Sequence, residues 1–298
     1  MRNLQAWISA CRLRTLPLSI SGAIVGSGIA YSRDLFEGSI FTLTILTTLS
    51  LQILSNLAND YGDGVKGTDN EHRIGPERAL QSGKISPKQM RNAIIFNVII
   101  CLVFVVSLIY TTFGAEHFFT SMVFIVLGIL AIIAAIKYTV GASAYGYRAL
   151  GDVMVFLFFG WLSVLGTYFL YSKQIEVLML LPASSIGLLS AGVLNLNNMR
   201  DIESDRRSKK QTLAGYFGLK IAKLYQLVLV GVAMLLIGIY SYLYSNNSMY
   251  LLLIAFVPLM IHMNNVRKTN APIEFDPQLK VLALSTVGLA MLFCASIV

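Results

Sequence analysis

Long stretches of the chain contain no Asp, Glu, Lys or Arg, among them 92–115, 118–136, 153–172, 177–199 and 224–266. A helix needs about 20 apolar residues to cross the hydrocarbon core of a bilayer. The stretch 224–266 is 43 residues long and therefore holds two crossings, with the break at Tyr244-Ser245-Asn246-Asn247-Ser248. The runs are continuously apolar and do not alternate, so they predict helices and not a barrel. Charged residues make up 13% of the 298 positions, against roughly 25% in a soluble domain. The net charge of +8 would suit a nucleic-acid binder, but long apolar runs interrupt the basic residues and exclude that class. Cys11, Cys101 and Cys294 lie in or beside apolar runs and give neither a disulfide framework nor a metal spacing. The run after Arg14 continues to Ser32 without an A-x-A-like cleavage site, so it reads as a first span and not a signal peptide.

Nine spans follow, at about 15–32, 38–57, 92–113, 118–137, 152–171, 177–197, 222–244, 249–266 and 279–298. The expected architecture is a single all-α membrane domain over 1–298. Short connections (33–37, 114–117, 172–176, 245–248) alternate with longer charged ones (58–91, 138–151, 198–221, 267–278). Of the 23 Lys and Arg, only Arg33 and Lys173 fall on the short side, leaving 21 on the other. Positive charge stays cytoplasmic. The N-terminus and charged loops are thus expected inside, the C-terminus outside, and the chain in the cell's inner (cytoplasmic) membrane. Eleven of the 15 acidic residues also lie on the charged side, which the positive-inside rule does not demand.

Those carboxylates gather at two span ends. The second span runs into Asn59-Asp60-Tyr61-Gly62-Asp63-Gly64-Val65-Lys66-Gly67-Thr68-Asp69. The sixth runs into Asn197-Asn198-Met199-Arg200-Asp201-Ile202-Glu203-Ser204-Asp205. If each helix continues past its apolar run, Asn59 and Asp63 share a face, as do Asp201 and Asp205. Asp69 follows Gly64 and Gly67, where the chain can bend back. Hard oxygen ligands of this kind suit Mg²⁺, which is usually held by a few carboxylates plus substrate phosphates. Lys66, Arg73, Arg78 and Lys84 stand by the first cluster, and Arg200, Arg206, Arg207, Lys209 and Lys210 by the second. Carboxylates, metal and cations together bind a polyphosphate. Lead-ins at Asn56 and Asn195 echo each other as a weak internal repeat.

At these residues the chain resembles the UbiA superfamily of intramembrane aromatic prenyltransferases. The motifs are Asn59-x3-Asp63-x5-Asp69 and Asp201-x3-Asp205, with Arg73-Ile-Gly-Pro-x-Arg78, Arg14-x-Leu16-Pro17, Ala149-Leu-Gly-Asp152 and Thr212-Leu-Ala as further matches. The resemblance covers nearly the whole chain and is strongest to the branch that prenylates 1,4-dihydroxy-2-naphthoate. The segment Ser208-Lys-Lys-Gln211 stands where the family commonly has a Gly-Lys-Arg-like run, which leaves the basic position open between Lys209 and Lys210. The resemblance implies nine helices around a central cavity, a cytoplasmic cap formed by the two motif loops, Mg²⁺, and a polyprenyl diphosphate donor. It implies Asp63, Asp69, Asp201 and Asp205 as metal ligands, with Asn59 as a neutral oxygen ligand. Lys66, Arg73, Arg200 and Lys210 would contact the diphosphate, with Asp60, Arg78, Asn197 and Asn198 beside them.

Tyr61, Tyr138, Tyr145 and Tyr147 could shield an allylic cation with their faces, or serve as an interfacial aromatic belt. Asp152 could touch the acceptor or cap the fifth helix. Asp152 and Glu203 are candidate bases for a ring hydroxyl, and Arg148 a candidate for the acceptor's carboxylate. Two other classes fit less well. In an alcohol phosphotransferase, Asp60-x2-Asp63-Gly64 would be followed by Ala-Arg, where Gly67-Thr68 stands. An ion-coupled transporter places its sites near the midplane on broken helices, whereas these clusters lie at span ends.

Overall fold

The computed structural model describes residues 2–13, 15–68, 74–75, 77–244 and 249–298. The described residues are almost entirely helical and contain no strand; the one bridge joins Arg148 and Gln211. The helices are α1 (Arg2–Cys11), α2 (Leu16–Tyr31), α3 (Gly38–Lys66), α4 (Pro87–Phe113), α5 (Phe118–Lys137), α6 (Gly151–Val155), α7 (Ser163–Ser172), α8 (Leu180–Arg200), α9 (Ile202–Arg207), α10 (Leu213–Phe217), α11 (Leu219–Tyr244), α12 (Met249–Lys268) and α13 (Phe275–Ile297). A π-helical stretch, Phe156–Leu162, joins α6 to α7 in one span.

Eight of these units are long and apolar enough to cross a membrane, and α2 makes a ninth only when counted with the end of α1, to which it is bent. The nine expected spans thus correspond to helices, α2 being the short one at 16 residues. Helix ends follow local chemistry. Ser86 and Gln89 form a reciprocal capping box at the start of α4, and Pro87 occupies its first turn. Gly67 ends α3 in the left-handed conformation, at φ 73°.

Burial sorts the spans. Over its most apolar window the span containing α8 is 56% buried and α5 only 11%, which puts α8 at the centre and turns α5 largely to lipid. α8 packs on α11, α13 and the π-helical stretch, while α3 packs on α4 and α2 on α7 and α13. Lipid is as apolar as the side chains, so close packing and small residues bring such helices together. A Cβ on Gly160 would lie 2.6 Å from the Ala183 carbonyl oxygen and 2.7 Å from the Gly187 Cα, so the π-helical stretch and α8 touch backbone to backbone.

Candidate active site

α3 continues nine residues beyond its expected end at 57, so Asn59 and Asp63 do stand on the helix. α8 stops at Arg200, and α9 begins at Ile202. The Asp205 amide still donates to the Asp201 carbonyl at 2.9 Å, so the two aspartates keep the spacing of one helical turn.

Both motifs face one cavity of about 440 Å³. Its polar end is lined by Asn59, Asp63, Arg78, Asn197, Arg200, Asp201, Asp205 and Lys210. Its walls continue through Leu108, Ile109, Phe124, Leu127, Phe158, Phe159 and Leu162. The segments after α3, α5 and α8 meet at the polar end. Thr68 and Tyr147 share a hydroxyl–hydroxyl bond of 2.7 Å, and the Ala149 amide donates to the Gln211 carbonyl at 3.0 Å.

Each described aspartate of the motifs has its own partner. Tyr147 donates to Asp63 Oδ1 at 2.7 Å. Arg200 grips Asp201 with Nε at 2.8 Å and Nη2 at 2.6 Å. Lys210 Nζ lies 3.3 Å from Asp205 Oδ1. Asp205 Oδ2 is buried and has no hydrogen-bond partner among the described residues. Burial pushes the Asp205 carboxyl up to about 6; Lys210 opposes the rise, and Asp201 and Asp63 add to it. Burial works to lower the Lys210 ammonium, but Asp205 and Asp63 beside it hold it above the ordinary lysine value. Burial, with Asp63 beside it, likewise raises the Tyr147 phenol, which stays a proton donor.

Several expectations need correction. Arg200 lines the cavity but is no open diphosphate contact: besides Asp201 it donates to Asp276 at 2.6 Å and to Asn197 Oδ1 at 2.7 Å, and it is 2% exposed. Its guanidinium is shared among Asp201, Asp276 and Asn197. Lys66 turns away from the cavity, donating to the Thr139 carbonyl at 2.7 Å with Nζ 4.1 Å from the Tyr147 ring centroid. Asp60 is buried and accepts from the Ala79 and Leu80 amides at 3.3 and 3.4 Å, bracing the turn that carries Arg78. Of the neighbouring lysines, Lys210 enters the cavity and Lys209 is exposed. Arg148 and Glu203 are exposed, Asn198 is buried, and none of the three lines the cavity. Tyr138 and Tyr145 do line it, edge to face at 5.3 Å; Tyr147 does not, and Tyr61 packs in the core. Asp152 neither lines the cavity nor caps its helix, where Leu150 holds the cap position; its buried Oδ1 has no hydrogen-bond partner among the described residues. Asp69 and Arg73 lie outside the described residues. The sequence reading missed Arg12, Lys280 and Asp276, all of which line the cavity. They come from α1's end and α13, far from either motif.

Among the described residues no three carboxylate, histidine or cysteine side chains form a group able to hold a metal. Mg²⁺ nevertheless fits the donor set. It accepts one or two carboxylates and takes its remaining ligands from phosphates and water, and the unpartnered Asp205 oxygen supplies a hard donor beside Asp201 and Asp63.

The model of the UbiA prenyltransferase family matches residues 19–273. The chain is 40% identical to the 1,4-dihydroxy-2-naphthoate octaprenyltransferase of Escherichia coli, over 93% of this chain and 89% of that one. It is 39% identical to the protein of the same name from Haemophilus influenzae, over 98% and 95%. Among solved structures it resembles a UbiA homolog from Aeropyrum pernix, TM-score 0.67 at 16% identity over 95% of each chain. It also resembles a UbiA homolog from Archaeoglobus fulgidus bound to GPP and Mg²⁺, TM-score 0.65 at 12% identity, over 99% of this chain and 100% of that one. The chain belongs to the UbiA prenyltransferase family.

Proposed function

We propose that the protein transfers a polyprenyl group from polyprenyl diphosphate to 1,4-dihydroxy-2-naphthoate, with loss of diphosphate and CO₂, giving demethylmenaquinol. The observation that carries this is the cavity itself, where Asp63, Asp201, Asp205 and Lys210 close one end of an apolar chamber. The names of the E. coli and H. influenzae relatives support the acceptor.

Breaking an allylic C–O bond separates a resonance-stabilised cation from diphosphate, and the barrier is mainly that charge separation. Asp63, Asp201 and Asp205, with Asn59 and Asp69, are the ligands we propose for Mg²⁺; a solved UbiA homolog of similar fold is bound to GPP and Mg²⁺. When bound, the ion supplies Lewis-acid stabilisation of the leaving diphosphate. Tyr147 and Arg200 hold Asp63 and Asp201 in fixed orientations, so little reorganisation remains when substrate arrives. Lys210 and Arg78 bring positive charge to the same end. The apolar walls keep water from the cation, and the faces of Tyr138 and Tyr145 line its surroundings. Burial pushes the Tyr138 phenol up to about 12, Lys210 opposing and Asp152, Asp63 and Asp205 adding to the rise, so it remains neutral. Arg12 and Lys280, which line the cavity, take the place of Arg148 as the cations we propose for the acceptor's carboxylate.

Attack at the carboxyl-bearing ring carbon leaves no hydrogen there to remove. Aromaticity returns by loss of CO₂, which needs no strong base, in keeping with the absence of Asp152 and Glu203 from the cavity wall. With carboxyl-labelled 1,4-dihydroxy-2-naphthoate, one labelled CO₂ is expected per prenyl group transferred. Retention of the label, or a clear preference for 4-hydroxybenzoate, would move the protein to another branch of the family.

A further inference from the structure

Behind the cavity wall a chain of buried polar side chains crosses four helices. Asn195 Nδ2 on α8 donates to Gln226 Oε1 on α11 at 3.0 Å. Gln226 Nε2 lies 3.2 Å from His262 Nε2 on α12. His262 Nδ1 lies 2.9 Å from Gln278 Oε1 on α13. An amide oxygen only accepts, so His262 carries its proton on Nδ1, and the Gln226 amide donates to the bare Nε2. Every link then has a donor facing an acceptor. Asn195, Gln226 and His262 are 0% exposed. Apolar side chains would fill this space without the cost of burying amides and an imidazole. What the polar chain adds is geometry, because each group has one orientation that satisfies its neighbours.

The chain closes into a ring. Asp276, two residues before Gln278, accepts from Arg200 at 2.6 Å, and Arg200 lies five residues after Asn195 on α8. Positions two apart point to nearly opposite sides of a helix. The first turn of α13 is therefore gripped on one side by Arg200 and on the other by His262. The Arg200 guanidinium, fixed against Asp276, holds both oxygens of Asp201.

We propose that His262 is a positioning residue for the diphosphate end of the cavity. Through Gln278 it sets the first turn of α13, and through Asp276 and Arg200 it sets the carboxylate of Asp201. The proposal rests on Asp201 serving the Mg²⁺–diphosphate, as in the proposed function.

The test is equilibrium binding, by titration calorimetry with Mg²⁺ present, of the S-thiolodiphosphate analogue of geranyl diphosphate to the purified full-length protein. His262→Leu and Gln278→Leu are each expected to weaken binding about five- to tenfold, the effect of one neutral buried hydrogen bond. The double variant His262→Leu/Asp276→Asn should bind no more weakly than Asp276→Asn alone, because both act through one connection. Gln278 is half-buried, so its variant carries the test alone if His262→Leu does not purify folded. A purely structural role would lower thermal stability and leave this affinity alone. Binding within about twofold of wild type in the folded single variants, or an additive double variant, overturns the positioning role. A wild-type protein that does not bind the analogue with Mg²⁺ overturns the metal–diphosphate reading beneath it.

Discussion

Lys209 and Lys210 are adjacent and live in different environments. Lys209 sits in the left-handed region at φ 56°, its side chain exposed. Lys210 turns inward, its own amide donating to the Asp205 carbonyl at 2.9 Å and its ammonium facing the Asp205 carboxylate at 3.3 Å. Removing one preorganised charge of the kind proposed for the leaving diphosphate costs about 10²–10³ in rate, so Lys210→Met is expected to lower kcat/KM by two orders of magnitude or more. Lys209→Met, a surface change worth about 0.5 kcal/mol at most, should remain within about threefold. Equal losses in steady-state assays would overturn the distinction. Tyr147→Phe removes the phenol's bond to Asp63 and should weaken binding of the Mg²⁺–diphosphate analogue roughly tenfold, a charge-assisted bond being worth about 1.5–3 kcal/mol; the KM for the acceptor should stay near wild type. At this scale the sequence showed which residue types gather but not which partner each takes. Arg200 read as a substrate contact because its neighbour Asp201 was visible, whereas Asp276 lies 76 positions away. Asp60 stands one position off the Asn59/Asp63 face, and its carboxylate is taken up by the Ala79 and Leu80 amides.

The elements were legible where lipid alone decides them. A charge-free run of the right length becomes a helix because nothing else satisfies its backbone in hydrocarbon. The continuation of α3 past residue 57 entered only as the condition under which Asn59 and Asp63 share a face, and the helix runs on to Lys66. The π-helical stretch was not legible, since the run 153–172 carries no local signal for a wider turn. Its setting is tertiary: Gly160 lies against Ala183 and Gly187 of α8. Gly160→Val would place side-chain atoms where backbone stands, so a lowered thermal midpoint in detergent is expected, together with lost activity because Phe158, Phe159 and Leu162 line the cavity. Gly238→Val, at a position where a Cβ meets nothing within 4 Å, should unfold at the wild-type temperature or above, a helix-interior glycine costing about 1 kcal/mol relative to better helix formers. Equal melting of the two variants would refute the close crossing.

For the molecule as a whole, the charge distribution and the site point the same way. Of the 23 basic residues only Arg33 and Lys173 lie on the short-loop side, and both are tied into the bundle. Arg33 pairs with Glu176 and donates to the Tyr168 hydroxyl. Lys173 donates to the Thr112 and Leu170 carbonyls, with Nζ 4.4 Å from the Phe113 ring centroid. Neither is a loose surface charge, so the asymmetry that orients a membrane protein is carried by the other 21. The cavity's polar end is built from connections on that other side, so the orientation also decides from which compartment the proposed diphosphate substrate would enter. Cysteines placed singly in a background lacking Cys11, Cys101 and Cys294 test this. A cysteine at Ser82, beside the turn that carries Arg78, should react with a membrane-impermeant maleimide only in inside-out vesicles. One at Glu116, in the short connection between α4 and α5, should react only when the outer face is exposed. The reverse pattern would overturn the expected orientation and the proposed cytoplasmic placement of the site with it, because both rest on one side of the bundle holding the positive charge.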